Sequence, residues 1–437
     1  MHSIEEWKSL SKEELLRIDH RSIFWRKTFR NGSLMETSDW KDSKPTVYYY
    51  CPQHPGSESM IRNPPEGIEF TSNVSPQLFE EYDRPPEYLL RRRALVSTVG
   101  SAFRVLQMPR RIPVLKDCDL VHMGAAVVPM TARPWMATME YASAFFSFDD
   151  AWYTRPRMKS SLLRVLRKPK CKAILAYSNA SVDSLKYGLG TSFDEVKSKI
   201  RVLHHAISPS YLSDKMKTKE EGPPKILFVG NNFFDKGGRE LFYAYKKMRG
   251  NFDVELTLVT SIPKRHAALW EAIRREIENE PGVTLLIGGI SKEDLWHRHY
   301  ATASVFCLPT YVDTYPFVLL EAMASKLAIV TTDVCAIPEI VNHEHTGLLV
   351  NAPLSYYGEG GIRTESSVRK YETAIYDKNA FTDVVLALEK SLSQLLNEER
   401  LRRQMGENSF REASEGRFSI ARRNRELKEY YYEALRD

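Results

Sequence analysis

The sequence predicts an α/β protein with two doubly wound domains, each built on a mostly parallel sheet. Short apolar segments alternate with longer helical segments in both halves, the pattern of parallel strands linked by helices. With 437 residues the chain can form two domains of about 200 residues each. Between the halves, SPSYLSDKMKTKEEGPP is polar and ends in two prolines, which is linker composition. We therefore assign the domains to 1–209 and 225–415, the linker to 210–224 and a closing amphipathic helix to 416–437.

Composition and charge argue against several classes of protein. The net charge of +6 is small for this length and favours a basic face over a nucleic-acid scaffold. The five cysteines are scattered and include no CxxC pair, so a reduced compartment fits better than a structural zinc site. The opening MHSIEEWKSLSKEELLRI is too polar for a signal peptide, and no apolar run approaches the roughly 20 residues that span a bilayer. We expect a cytoplasmic protein whose membrane contact, where it has any, is peripheral.

Four strands are predicted in the first half, after about 44 residues of charged, helical sequence. They are TVYYYC at 46–51, LVH at 120–122, WMATM at 135–139 and AILAY at 173–177. Ser178 or Asn179 is expected to cap the helix after the last of them. The segment 52–65 is rich in Pro, Gly and Ser and is predicted to be a loop. The segment 87–106, which carries three consecutive arginines, is predicted to be helical.

A basic stretch runs from Arg155 to Lys172 (residues 155–172), with eight basic residues and no acidic one. Leucines alternate with the charges at helical spacing, and Pro169 ends the helix. One interpretation is an amphipathic face that contacts anionic lipid or an anionic acceptor at the periphery of a membrane. The other is a leucine stripe facing the core with a solvated basic side. The sequence leaves both open.

The second half contains a clear βα unit followed by four more strands. KILFV at 225–229 is the first strand, the glycine-rich loop GNNFFDKGG follows at 230–238, and 239–248 is the helix. The later strands are predicted at 254–259, 283–287, 303–308 and 328–331. In a doubly wound sheet the ligand crevice lies beyond the carboxyl ends of the strands, so the loops that follow these strands are where we expect chemistry.

Two features at these strand ends suit a sugar diphosphate. Lys236 in the glycine-rich loop offers a mobile positive charge ahead of a helix N-terminus, which attracts phosphate. In LPTYVDTYPFVLLE at 308–321, Asp313 lies in the turn and Glu321 inside the helix that opens at Pro316, so both carboxylates can face the crevice. Each feature alone also fits a plain reading, namely a surface lysine, a solvated acid and a helix-surface glutamate.

Taken together, the motifs resemble the donor domain of GT-B glycosyltransferases of the retaining family-four (group 1) type. The match runs over about 225–350 through GNNFFDKGG, LLIGGISKEDLWHRHYATASVFCLPTYVDTYPFVLLEAMA and IPEIVNHEHTGLLV. In the first half it is looser and rests on DLVH, LAYSNASVDSLK and KIRVLHHAIS. The resemblance implies two Rossmann-like domains facing across a cleft, with the closing helix crossing back onto the N-terminal domain.

The resemblance also implies roles for individual positions. Lys236 matches the lysine that neutralises the leaving diphosphate, Asp313 the acid that contacts sugar hydroxyls, and Glu321 the acid that binds the donor ribose. Glu140 stands at a strand end where the family often has a histidine facing the donor sugar; it is expected to bind a hydroxyl or orient the acceptor, or else to be a surface acid. The further donor-binding positions are Gly230, Asn231, Gly237, Gly288, Ile290, Tyr315, Phe317 and Val318.

Three departures from the family pattern bear on these roles. Asp313 is one methylene shorter than the usual glutamate, which repositions any sugar contact. Asn231 stands where many members carry an arginine for the diphosphate. Lys236 must therefore supply more of the positive charge that the diphosphate needs, or another arginine must contact the diphosphate. The glycine pair usual after the first N-terminal strand is missing. The segment 353–380 resembles an insertion, either an oligomer contact or a mobile flap, and the oligomeric state is left open.

The function expected from the resemblance is transfer of a sugar from a nucleotide sugar to a glycan, lipid-linked or small-molecule acceptor, with retention at the anomeric carbon. The acceptor is expected on the N-terminal half. No DxD motif is placed in the donor half, so we expect no metal and no cofactor. The alternatives are a phosphorylase, which lacks support because no pyridoxal phosphate lysine segment is recognisable, a non-catalytic binding or scaffold protein, and a nucleic-acid-binding protein that uses the basic stretch. Nothing else in the sequence favours nucleic acid.

Overall fold

The computed structural model describes residues 44–51, 55–74, 106–208, 222–262, 265–288, 290–358, 361–377 and 379–436. The predicted helical sequence before residue 44 and most of the predicted linker lie outside these ranges. The predicted helix at 87–106 also lies outside them, apart from its last residue.

The first half is built on one parallel six-stranded sheet. Its strands are β1 (Thr46–Tyr50), β2 (Glu69–Ser72), β4 (Leu120–Met123), β6 (Trp135–Met139), β7 (Cys171–Ala176) and β8 (Ile200–Val202), and β3 (Arg111–Pro113) and β5 (Val128–Met130) form a separate pair. The large sheet has the order β2-β1-β4-β6-β7-β8. The helices are α1 (Pro55–Arg62), α2 (Pro156–Leu166) and α3 (Asn179–Leu189). The four strands predicted here are confirmed, and Ser178 caps α3 by accepting from the Ser181 N–H.

The prediction of a loop at 52–65 is wrong, because this stretch contains α1. The glycine and serine that suggested a loop instead let the helix pack closely. A Cβ on Gly56 would lie 2.2 Å from the His205 ring, and Ser57 is buried beside it. Proline is accepted in the first turn of a helix, so Pro55 can begin one. Tertiary packing outweighs the local composition here.

The second half is a parallel sheet of six strands, of which five were predicted. They are β9 (Lys225–Gly230), β10 (Glu255–Thr260), β11 (Val283–Ile287), β12 (Val305–Leu308), β13 (Ala328–Thr332) and the unpredicted β14 (Gly347–Val350). The order is β11-β10-β9-β12-β13-β14. After β9 the chain adds β10 and β11 on one side of the sheet and then crosses to add β12, β13 and β14 on the other side. The place between β9 and β12 is therefore the switch point, where doubly wound sheets bind ligands.

Helices cover the second sheet. They are α4 (Gly238–Met248), α5 (Ala267–Glu278), α6 (Lys292–Asp294, continued by a π-helix over Leu295–Tyr300), α7 (Phe317–Ala324), α8 (Ile337–Ile340), α9 (Glu365–Ala374), α10 (Thr382–Asn397) and α11 (Glu399–Ser414). The last helix, α12 (Ile420–Arg436), returns to the first half and packs against β4 and β7. Its buried Leu427 and Tyr431 share a core with Val47 and Leu120, so the predicted crossing back of the closing helix is confirmed.

The basic stretch forms α2, whose apolar side faces the core. Met158, Leu162 and Leu166 are buried, and Arg157 and Arg164 are exposed. The core-facing interpretation therefore accounts for the leucines. Contact of the exposed basic side with an anionic surface stays a prediction. Within the described part of the chain, no helix is both long and apolar enough to cross a membrane.

His122 on β4 is a packed histidine, and it joins α12 to the first sheet. Its Nδ1 hydrogen-bonds to the Tyr431 hydroxyl at 2.7 Å and its Nε2 to the Thr138 hydroxyl at 2.9 Å. Burial lowers the pKa of His122 to about 3, so the ring is neutral near pH 7.

Tyr431→Phe is expected to destabilise the protein by roughly 1–3 kcal/mol, because it leaves a buried ring nitrogen of His122 without its partner. Urea denaturation, with the free energy of unfolding extrapolated to water, measures the loss. Tyr432→Phe is the matched control, since the neighbouring ring is only partly buried. Equal stability of the two variants would contradict the role given to this hydrogen bond.

Candidate functional site

The glycine-rich loop turns sharply at the switch point between β9 and β12. Gly237 has φ +74°, and a Cβ there would lie 2.0 Å from the carbonyl oxygen of Pro309, just after β12. Glycine is therefore required both by the backbone conformation and by the close approach of the two loops. The helix α4 begins at the next residue, so Lys236 projects from a fixed turn.

Gly237→Ala is expected to cost about 1–3 kcal/mol of stability, because the new Cβ meets backbone and the positive φ is unfavourable for alanine. The midpoint of urea unfolding measures this cost. Gly250→Ala provides the control, since a Cβ at that turn meets no atom within 4 Å. A Gly237 variant as stable as the control would mean that the two loops do not need this close approach.

Lys236 and Asp313 come together as predicted from their places after β9 and β12. The Lys236 ammonium donates to the carbonyl oxygen of Val312 at 2.9 Å and to the Asp313 carboxylate, with which it forms an ion pair. The two side chains are 19% and 15% exposed. The charges are therefore partly shielded from water but remain accessible, as a substrate-binding pair requires.

Glu140, at the end of β6 in the first half, contacts the second half. Its carboxylate accepts a hydrogen bond from the Thr314 hydroxyl. Burial raises the pKa of Glu140, Asp313 raises it further, and Lys236 and Arg363 oppose the increase. Of the roles left open for Glu140, the plain surface acid is therefore wrong. The carboxyl group lies beside the Lys236–Asp313 pair.

Glu321 lies on α7 in a second cluster. The Tyr300 hydroxyl donates to its Oε2 at 2.9 Å. Burial raises the pKa of Glu321 to about 7, with a further increase from Glu58, while the Tyr300 hydrogen bond and the Lys292 charge oppose it. Lys292 forms an ion pair with Glu58 of α1, so the first half reaches this acid too.

A cavity of about 120 Å³ adjoins Glu321. Its lining residues come from both halves and are Glu58, Ser59, Arg62, Asn63, Ile207, Ser208, Lys292, Trp296, Phe317 and Glu321. Among the described residues that line it, Lys236 and Asp313 are not found. The expected single crevice is thus a pair of neighbouring clusters, joined by the segment 313–321.

The start of α7 lies between these two clusters in the sequence. The helix was predicted to open at Pro316, but it begins one residue later, so Pro316 is its N-cap. Phe317 and Val318 carry the first two helical amides. The positive end of this helix dipole therefore follows Asp313 and precedes Glu321 along the chain. Tyr315 is buried, and its ring packs 5.3 Å from that of His205.

The other predicted donor-binding positions follow β9 and β11. Gly230 is buried, and a Cβ on it would lie 3.0 Å from the Lys236 side chain. Asn231 is exposed. Gly288 is exposed with φ +63°, its N–H donates to the Thr260 carbonyl at 2.9 Å, and Ile290 is half-buried. Contact of these residues with a donor stays a prediction.

Several polar residues of the site were not predicted from the sequence. Thr314 donates to the predicted Glu140 and Tyr300 to the predicted Glu321. Lys292 pairs with Glu58, which lies in the stretch predicted to be a loop. Arg363 belongs to the supposed insertion at 353–380. Within that segment Tyr356, Tyr357 and Tyr371 are buried. Among the described residues, no group of three or more His, Cys, Asp or Glu side chains could hold a metal ion.

The chain is similar to known glycosyltransferases. Residues 223–356 match the family described as "Glycosyl transferases group 1". An uncharacterized glycosyltransferase of Methanocaldococcus jannaschii is 23% identical over 220 residues, which cover 46% of this chain and 55% of the relative. The chain thus spans about half the length of this curated relative.

Solved structures similar to this chain include HepE of Anabaena in complex with UDP, with a TM-score of 0.55 and 14% identity over 89% of this chain and 99% of that one. Another is the sucrose-phosphate synthase of Thermosynechococcus elongatus, with a TM-score of 0.56 and 15% identity over 89% and 98%. These likenesses confirm the GT-B fold.

Proposed function

We propose that this chain is a retaining glycosyltransferase that moves a sugar from a nucleoside diphosphate sugar to a hydroxyl group of a glycan, a lipid or a small molecule. One observation carries the proposal. A lysine from the loop after β9 meets an aspartate from the loop after β12, at the switch point of the sheet and in the segment that leads into α7. An ammonium group and a helix N-terminus together suit a diphosphate, and the neighbouring carboxylate suits sugar hydroxyls.

In this proposal the diphosphate binds between Lys236 and the amides of Phe317 and Val318. The Lys236 ammonium, which donates to the Val312 carbonyl and to Asp313 in the structure, then turns to the phosphate oxygens. The ribose binds at Glu321, whose carboxylate accepts from its hydroxyls. Since HepE was solved with UDP-glucose, that compound is the first donor to test.

Catalysis then rests on stabilising the charge that develops on the departing diphosphate. A positive charge fixed beside the bond that breaks favours the transition state over the ground state, since the diphosphate is more negative in the transition state than in the bound donor. The leaving phosphate itself can take the proton of the acceptor hydroxyl. The acceptor oxygen then bonds to the anomeric carbon on the face that the diphosphate leaves, so the anomeric configuration is kept. We expect no metal requirement, so turnover should be the same with Mg²⁺ and with EDTA.

The acceptor is proposed to bind on the first half, near Glu140. The hydrogen bond from Thr314 to Glu140 joins the two halves beside the Lys236–Asp313 pair, so groups from both halves meet where the sugar would be transferred. Excluding water from this contact would favour transfer over hydrolysis. For a lipid-linked acceptor, the exposed basic side of α2 would contact the anionic membrane surface.

A panel of UDP-, GDP-, ADP- and CMP-sugars tests the function. Thermal stabilisation identifies the donor, slow hydrolysis identifies turnover, and NMR of the product shows whether the anomeric configuration is kept. We expect one nucleotide class to stabilise the protein and be turned over with retention. Binding without turnover for every acceptor offered would favour a non-catalytic GT-B protein. A protein that binds none of these sugars would rule the proposal out.

A further inference from the structure

An arginine from the second half packs against an aspartate of the first half near the proposed site of transfer. Arg363, between β14 and α9, forms an ion pair with Asp150, with Nη2 2.9 Å from Oδ2. The backbone N–H of Arg363 donates to the Tyr141 hydroxyl at 3.0 Å, and that hydroxyl donates to the Gly361 carbonyl at 3.3 Å. The charged side chains are 17% and 21% exposed. Each half thus supplies one charge to a largely buried contact.

Three polar atoms in this contact have no hydrogen-bond partner among the residues that the structure describes. They are Nε of Arg363, Oδ1 of Asp150 and the hydroxyl oxygen of Tyr357, and all three are buried. Tyr357 is only 7% exposed, and its ring lies 6.3 Å from that of Tyr141. Buried polar groups are nearly always paired, because an unpaired one costs free energy. The contact therefore offers donors suited to the oxygen atoms of a ligand.

The contact adjoins Glu140. Tyr141, which bonds to Arg363, follows Glu140 directly in the chain, and Glu140 accepts from Thr314 next to Asp313. Burial chiefly raises the pKa of Glu140, and the positive charges of Lys236 and Arg363 oppose that increase. Arg363 is thus close to the proposed position of the sugar.

The chemistry of the contact favours neutral hydroxyl groups. Asp150 neutralises most of the charge of Arg363, so the pair has little net attraction for a phosphate or a carboxylate. An arginine N–H, a tyrosine hydroxyl and a carboxylate together supply donors and an acceptor, as adjacent sugar hydroxyls require. We propose that Tyr357, Arg363 and Asp150 form a subsite for the hydroxyl groups of a neutral sugar. This subsite rests on the proposed glycosyl transfer, and the sugar it holds is either the transferred one or the acceptor.

Tyr357→Phe is the decisive variant, because it removes a hydroxyl that no described residue uses. The variant should melt at the wild-type temperature or slightly above it, while sugar binding weakens about three- to tenfold, the loss of one hydrogen bond. Calorimetric titration with UDP-glucose and with UDP distinguishes a subsite for the transferred sugar from a subsite for the acceptor. A subsite for the transferred sugar raises Kd for UDP-glucose and leaves Kd for UDP unchanged. A subsite for the acceptor leaves both constants unchanged and raises KM for glucose as acceptor.

Tyr356→Phe is the matched control. The Tyr356 hydroxyl donates to Glu372 at 2.7 Å and accepts from Arg265 at 3.1 Å, so this variant should melt lower and bind sugar normally. The subsite is overturned when Tyr357→Phe changes neither Kd for UDP-glucose nor KM for glucose. If the panel identifies another nucleotide sugar as the donor, that nucleotide sugar and its nucleoside diphosphate are titrated instead. A wild-type protein that binds no nucleotide sugar would remove the proposed function itself, a result distinct from an unaffected variant.

Discussion

Lys236→Ala is expected to lower the turnover of the nucleotide sugar by about 10²- to 10³-fold, the usual effect of removing one group that stabilises transition-state charge. Asn231 of the same loop is exposed and uncharged, so it cannot replace the missing ammonium. Steady-state kinetics with the donor found in the panel measures the loss. Because the diphosphate carries more negative charge in the transition state than in the bound donor, kcat should fall more than KM rises.

The same substitution should change stability little. The Lys236–Asp313 pair is partly exposed, and pairs of this kind contribute little to folding. Lys247→Ala, on the exposed side of α4, controls for the loss of one lysine. Lys236→Arg keeps the charge and should recover part of the turnover. An alanine variant that turns over at the wild-type rate would remove Lys236 from the mechanism, whatever its effect on folding.

Glu321→Ala is expected to weaken binding of the nucleoside diphosphate by about 10- to 100-fold, because the hydrogen bonds from the ribose hydroxyls to the Glu321 carboxyl group are lost. Calorimetry with UDP, or with the diphosphate of the donor found in the panel, gives the Kd directly. Glu293→Ala, an exposed acid near the start of α6, is the matched control. Unchanged affinity in the Glu321 variant would contradict the ribose contact.

Glu321 also predicts how stability depends on pH. Its pKa is raised from 4.5 to about 7 in the folded protein, mainly by burial. Between these values the folded protein keeps a proton that the unfolded chain releases, so the contribution of Glu321 to the free energy of unfolding is full below pH 4.5 and decreases as the pH rises towards 7. The decrease is on the order of 3 kcal/mol.

Glu321→Gln keeps an acceptor for the Tyr300 hydroxyl and cannot ionise. Urea unfolding of this variant at several pH values from 4.5 to 8 should therefore show a weaker decrease in stability than the wild type. The variant should be the more stable protein at pH 8. Parallel curves for variant and wild type would show that the Glu321 carboxyl group titrates normally in the folded state.

The sequence by itself determined the two parallel sheets, because strand and helix signals are local. Apolar runs such as KILFV at 225–229 are each followed by a helical segment, and only parallel pairing buries such strands on both faces. It also placed Lys236 and Asp313 at the same edge of a sheet, since both follow predicted strands and the carboxyl ends of parallel strands share one edge. The pairing of β9 with β12, seen in the structure, then brings the two side chains into contact.

The tertiary structure alone decided which residues of one half reach the other. Glu58 contacts Lys292 across 234 positions of sequence, and Arg363 contacts Asp150. No local pattern marks such pairs, since they depend on how two separately folded sheets face each other. The same packing made a helix of Pro55–Arg62, where Gly56 lies against His205, and it divided the predicted acid pair between two clusters. Burial in the folded protein, rather than anything in the local sequence, also raised the pKa values of Glu140 and Glu321.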